Sequence, residues 1–312
     1  MRVLITGATG FVGGALLERL RREDDQLRAF VRDGRRLSAA GVEIVEGDAV
    51  TGSGLDAALH EVDVAYYLIH SMEPVSGAPD ATAPDRGFAK RERRAADNFA
   101  AAARRAGVGR IVYLGGLLPA QQGASAHLAS RLGVEQTLLA AVPGSVALRA
   151  SIVIAAGSRS FRFLVRLVER VRVLPLPGWR KHLTQPIDGR DLLEVLVAAA
   201  GNSRAAGRSL DIAGPDVLSY GEIVERISDH MLVGRPKIRL AFEATPLVSR
   251  VAAQIAGERH ELVGPLMEGL GCDLLPRSNA AADVFGVRLH SFDAAVERAL
   301  REWEAREPLR AR

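Results

Sequence analysis

The chain has 312 residues, 48% of them apolar, enough for one large globular domain or for a nucleotide-binding domain with a smaller lobe. No run of about 18 uninterrupted apolar residues occurs, and the first residues enter a strand pattern without a charged leader, so no membrane span or signal peptide is expected and a cytoplasmic location is. The net charge is only +4, carried on arginines (all 41 basic residues except Lys90, Lys181 and Lys237) with no aromatic-interleaved basic patch, and Cys272 is the single cysteine, so nucleic-acid binding, an internal disulfide and a cysteine metal cluster are not expected.

The first stretch organises the rest. An apolar strand over 3–5 breaks into Gly7, Gly10 and Gly13, and a helix over 11–21 follows. Gly7 permits a tight turn, Gly10 lets backbone amides approach a pyrophosphate, and Gly13 lets the helix pack on the strand. The helix aims its unpaired N–H groups and positive dipole end at that turn, so the three glycines are candidate cofactor residues. A second strand over 26–31 runs into Arg32, Asp33, Gly34, Arg35 and Arg36, where the 2' end of an adenosine would lie. Guanidinium at that point favours NADP over NAD, with Asp33 on the ribose as the alternative. A third strand over 42–46 leads to Asp48, read either as an adenine contact or as a turn or N-cap aspartate before a helix over 53–59.

A fourth strand over 62–69 enters His70, Ser71 and Met72, and a loop long enough for a flap extends to residue 85. A helix over 85–106 carries Phe88, Ala95, Phe99 and Ala102 or Ala103 on one face and Lys90, Arg91, Arg93 and Arg94 on another. Next come a strand over 110–114 ending in Gly115 and Gly116, a helix over 128–141 and a strand over 145–154. This alternation predicts a doubly wound parallel α/β sheet of the Rossmann type. The remainder is less regular. It holds a helix over 161–171, a Pro-rich turn with Trp179, a strand over 184–187, a helix over 190–200 and a strand over 209–212. After them come a helix opened by a Ser219 capping box, a further strand, helices over 246–256 and 258–270, and a last helix over 292–303. The expected division is a Rossmann domain over 1–155, with 181–214 returning to it, and a small substrate lobe from 156–180 and 215–312.

Thr6-Gly7-Ala8-Thr9-Gly10-Phe11-Val12-Gly13 resembles the TGxxGxxG start of extended and atypical short-chain dehydrogenases. Gly47-Asp48, Leu68 to Met72, residues 110–117, residues 127–138 and Gln185-Pro186-Ile187 with Asp191 add to the likeness, which comes nearest to NmrA-like or YbjT-like NAD(P)H-binding proteins. The resemblance implies cofactor contacts from Thr6, Gly7, Thr9, Gly10, Phe11, Val12 and Gly13, and from Arg32, Asp48, Ala49, Leu68, His70 and Arg131. Those enzymes carry Tyr-x-x-x-Lys after the fifth strand and a Ser at its end; the matching positions here are His127-x-x-x-Arg131 and Gly115.

Residues four apart share a helix face, so His127 and Arg131 can both face a nicotinamide. They are either the catalytic pair, with a neutral imidazole as a weak acid, or cofactor and pocket contacts without acid–base duty. Ser71, Met72, Gly115, Arg149, Ser151 and Trp179 are the substrate-pocket candidates, and His70 and Tyr113 are further polar groups near strand ends. Arg149 within a strand needs a partner: an anionic ligand, or an ion pair with Asp191 or Asp211. No histidine pair has metal-ligand spacing, so no metal is expected. Two functions stay open, an NADP-dependent oxidoreductase acting on a small carbonyl or quinone-like substrate, and a non-catalytic NADP(H)-binding regulator with a protein partner.

Overall fold

A computed structural model describes residues 1–69, 84–119, 126–171, 173–176, 178–239 and 271–309. Seven parallel strands form its centre: β1 (Arg2–Thr6), β2 (Gln26–Val31), β3 (Val42–Glu46), β4 (Val64–Tyr67), β5 (Arg110–Gly116), β6 (Val146–Ala150) and, much later in the chain, β11 (Ser209–Ile212). Their order is β11-β6-β5-β4-β1-β2-β3, so the winding reverses at β1, and a crevice is expected outside the carboxyl ends there. A sheet covered on both faces needs strands that are apolar throughout. Accordingly β4 is buried at all four positions and β6 at all five, whereas edge strand β3, Val-Glu-Ile-Val-Glu, is largely exposed.

Helices α1 (Phe11–Leu20) and α6 (Gly189–Gly201) cover one face with α8 (Ala280–Phe285); α2 (Leu55–Leu59), α3 (Pro84–Ala106) and α4 (Ala126–Ala141) cover the other. Along α3, Ala95, Phe99, Ala102 and Ala103 are buried and Lys90, Arg93 and Arg94 are exposed, as periodicity predicts. A separate apolar core gathers α5 (Arg159–Arg170), α7 (Tyr220–His230) and α9 (Phe292–Glu304) around Trp179 and Trp303. Ser219 caps α7 through the expected box, accepting from the Glu222 N–H while the Glu222 carboxylate accepts from the Ser219 N–H.

Two expected strands are each broken in two. Residues 145–154 separate into β6, which stays in the sheet, and β7 (Val153–Ile154), which pairs with β10 (Ile187–Asp188). Residues 184–187 separate into β9 (Leu183–Thr184), paired with β12 (Leu218–Ser219), and β10, because Pro186 has no N–H and the Gln185 side chain instead donates to the Gly214 carbonyl at 2.5 Å. The helix expected from 161 starts at Arg159, where Ser158 caps it. The helices expected over 246–256 and 258–270, and most of the loop over 70–85, lie outside the described residues. No described helix is long and apolar enough to cross a membrane.

Candidate cofactor cleft

A cleft of about 640 Å³ opens at the carboxyl ends of β1, β2, β4, β5 and β6. At its middle is the glycine turn. Gly7 has φ +69°, and a Cβ there would lie 2.6 Å from the Leu68 carbonyl oxygen; a Cβ on Gly13 would lie 2.2 Å from the Gly7 oxygen. The Gly10 N–H closes the turn on the Gly7 carbonyl at 2.9 Å. Gly10 is also the N-cap of α1, with no side-chain cap and no acid in the first turn, so the free amides of α1 face the cleft. This cradle, which any Cβ would fill, fits a dinucleotide pyrophosphate. Thr9, Phe11 and Val12 line it as expected. Thr6 does not: it is fully buried, its hydroxyl donating to the Tyr66 carbonyl and accepting from the Leu68 N–H, both at 3.0 Å, so it ties β1 to β4 behind the turn.

At the β2–β3 end, Asp33 is occupied. It accepts from the Arg35 N–H at 3.1 Å and pairs with the Arg35 guanidinium at 2.9 Å, which holds its carboxyl below the usual carboxylate range. Arg32 and Arg36 line the cleft. Asp48 also lines it, and its carboxylate accepts from the Val50 N–H at 2.8 Å, which is the turn reading. It is not the N-cap of α2, which is Gly54. Asn98, which sequence reasoning missed, fixes this wall by donating to the carbonyls of Ala49 and Val50 at 3.0 and 2.9 Å.

At the β4–β6 end the lining includes Leu68, Ile69, Gly115, Gly116, His127, Arg131, Ala150 and Ser151. Arg131 is nearly fully buried. Its guanidinium donates to Glu92 at 3.0 Å, to the Ile69 carbonyl at 3.2 Å and to the Leu114 carbonyl at 2.6 Å, and lies 4.9 Å from the Tyr113 ring centre. It therefore closes the gap between the ends of β4 and β5. Glu92 on α3 was not foreseen, although it lies four residues after Phe88 and three before Ala95, on the apolar face of that helix, where a buried carboxylate needs a partner. A side chain at Gly115 is excluded by the Tyr113 ring, 2.9 Å from the place of a Cβ, and the Tyr113 hydroxyl donates to the Arg131 carbonyl at 3.0 Å. No serine fits at position 115 without moving the tyrosine.

Burial, helped by the Arg131 cation and opposed by Glu92, pushes the His127 imidazolium below its ordinary range, so the ring is neutral near pH 7. The unfolded chain takes up this proton at about pH 6.5, and the folded protein only at lower pH. Stability is thus full above that value and falls as the pH drops below it. His127→Asn should flatten this part of a plot of urea midpoint against pH; a wild-type slope in the variant would contradict the assignment.

Two pocket candidates are not among the described lining residues. Arg149 donates to Glu135 at 2.9 and 2.6 Å and lies 3.5 Å from Asp211, a buried ion-pair cluster; Asp191, the other partner considered, holds His290 at 2.6 Å. Trp179 is 7% exposed in the second core, edge-on to Tyr220. His70, Ser71 and Met72 lie outside the described residues.

Residues 7–140 match a family model described as NAD(P)H-binding. The chain is 26% identical over 238 residues to the (4-alkanoyl-5-oxo-2,5-dihydrofuran-3-yl)methyl phosphate reductase of Streptomyces griseus subsp. griseus, covering 75% of this chain and 74% of that protein. Among solved structures, gox2253 superposes with a TM-score of 0.74 at 19% identity over 100% of this chain and 99% of its own. A short-chain dehydrogenase/reductase superfamily protein from Agrobacterium tumefaciens with bound NAD gives 0.68 at 18% identity over 98% and 96%. These two likenesses speak for the fold.

Proposed function

We propose that this chain, a short-chain-dehydrogenase-like NAD(P)-binding protein, is an NADPH-dependent reductase of a small carbonyl compound. The observation that carries the proposal is that one cleft holds both requirements: a cradle for a pyrophosphate at its centre and, at the far end, a pocket lined by His127, Arg131 and the Ser151 hydroxyl. The Streptomyces relative, named a reductase, supports the same class.

When bound, the reduced nicotinamide supplies the hydride. The chain does the rest by position. Gly7, Gly10, Gly13 and the first amides of α1 bind the pyrophosphate, and Asp48 and Ala49 border the adenine. Arg32 and Arg36 take the 2'-phosphate because Asp33, the carboxylate that would hold a free ribose hydroxyl, is committed to Arg35. Arg131 seals the floor under the nicotinamide half, burial with Arg131's help keeps His127 neutral, and both are pocket contacts. Residues 156–171, 178–184, 215–239 and 292–309 form the lobe under which substrate enters, while 187–212 and α8 belong with the Rossmann sheet.

Calorimetry with NADPH and NADH tests the cofactor. Loss of one charge-assisted contact is worth about tenfold, so Arg32→Ala should weaken NADPH binding by about that factor and leave NADH unchanged. Equal binding of both by the wild type would defeat the NADP assignment. NADPH oxidation with para-nitrobenzaldehyde and menadione tests the reaction. Tight NADPH binding with no oxidation by either would favour the alternative, a cofactor-responsive regulator.

A further inference from the structure

The charges that line the cleft are unequal. Among the described residues they are Arg32, Arg36, Arg91, Arg131 and Arg159 against one acid, Asp48. Arg131 is neutralised by Glu92, and Asp48 stands on the adenine wall with its carboxylate engaged by the Val50 N–H. Arg32 and Arg36, at the end of β2, belong to the 2'-phosphate on the cofactor assignment above. Arg91 is left over. By periodicity it shares a solvated basic face with Lys90, Arg93 and Arg94, yet those three are exposed whereas Arg91 is half-buried and lines the cleft. Among the described residues it has neither an ion pair nor a hydrogen bond.

Its neighbours on α3 fix its place along the cleft. Phe88, Arg91, Ala95 and Asn98 follow one another at helical spacing. The Phe88 ring packs on His127, centres 5.6 Å apart, at the pocket end, and Asn98 holds the Ala49 and Val50 carbonyls at the adenine end. Arg91 stands between them, three residues from Phe88 and seven from Asn98, and so nearer the pocket. Because α3 covers the opposite face of the sheet from α1, Arg91 reaches the cleft from the wall across from the glycine cradle. Arg159, the first residue of α5, lines the cleft from the lobe, with no acid in the first turn of that helix. A guanidinium that has given up part of its water and meets no carboxylate is stabilised by an anionic ligand, which it can hold through two parallel hydrogen bonds.

On the reading of the chain as a reductase, we propose that its substrate is an anionic carbonyl compound, whose phosphate or carboxylate is held by Arg91 and Arg159 while its carbonyl lies in the pocket of His127 and Ser151. The full-length protein is assayed with NADPH and 4-formylphenyl phosphate, 4-carboxybenzaldehyde or the neutral methyl 4-formylbenzoate. A charge-assisted contact is worth about tenfold, so kcat/KM for at least one of the two anionic aldehydes should exceed that for the ester by about that factor, and the better of the two names the anion. Arg91→Ala should remove most of this preference through KM, whereas Arg94→Ala, which deletes the same charge from the exposed side of α3, should keep it. Equal loss in both variants would mean long-range attraction and would overturn the subsite. Equal kcat/KM for charged and neutral aldehydes in the wild type would overturn it too, with the reductase left standing. Independently of turnover, calorimetry of phenyl phosphate and benzoate into the NADP-loaded protein should show binding of at least one, weakened about tenfold in Arg91→Ala. If Arg91→Ala weakens NADP binding by as much, the guanidinium holds the cofactor and the proposal falls. If no aldehyde is reduced, the reductase reading fails and the titration alone decides the subsite: binding that depends on Arg91 upholds it, and no binding of either anion overturns it.

Discussion

Glu92→Ala is expected to lower the unfolding free energy by about 3–5 kcal/mol, read from urea midpoints. Glu92 is 2% exposed and supplies the one carboxylate paired with the Arg131 guanidinium among the described residues; it also accepts from the Ser130 hydroxyl at 2.8 Å. Removing it leaves a cation that cannot lose its proton enclosed by Tyr113 and two strand-end carbonyls, without a counter-charge. The expected loss is mostly that stranded charge, since the pair itself was assembled at a large desolvation cost. A double variant, Glu92→Leu with Arg131→Met, should therefore recover most of the stability while losing the floor of the cleft and NADPH affinity. A loss below about 1 kcal/mol in Glu92→Ala would mean that the pair behaves as a surface ion pair.

Gly13→Ala is the second large effect. The added Cβ would meet Gly7 O at 2.2 Å, Gly7 C at 2.7 Å and Ala8 N at 3.0 Å, all backbone atoms of the turn itself. No flexible side chain can yield, so α1 must move off the sheet or the turn must open; overpacking of this kind costs about 1–3 kcal/mol or more. NADPH affinity should fall below detection by calorimetry, because the same shift misdirects the amides of α1. Gly133→Ala is the matched control. It lies on the exposed side of α4 with nothing within 4 Å of its Cβ position, and there the substitution should stabilise by about 0.5–1 kcal/mol. Equal behaviour of the two variants would remove the argument that close approach dictates glycine at position 13.

The contrast between these two glycines shows where sequence reasoning ends. The triplet at 7, 10 and 13 was legible because its meaning is local: strand, turn and helix lie within a dozen residues, and the spacing itself dictates the close approach. Legible for the same reason were the buried strands, the Ser219 capping box and the basic turn after β2. The division of labour within that turn was not, because Arg35 is the residue that takes Asp33 and so leaves Arg32 and Arg36 to the cleft.

What only the tertiary structure decided is polar pairing across long stretches of chain. Arg131 finds Glu92 from 39 residues away, Ser151 finds Thr184 from 33, and Asn98 holds Ala49 from 49. Apolar periodicity places each of these residues on an element, but carries no signal for which buried charge or hydroxyl will meet which. That choice is made when α3 packs on α4 and when the chain changes sheets at Ser151, since a buried polar group must be satisfied by whatever the packing brings within about 3 Å. The sequence by itself thus determined the Rossmann sheet and the glycine cradle at its switch point. The ion-paired floor at the β4–β5 end of the cleft, and the contact of Ser151 with Thr184, follow from how separate helices and strands were brought together.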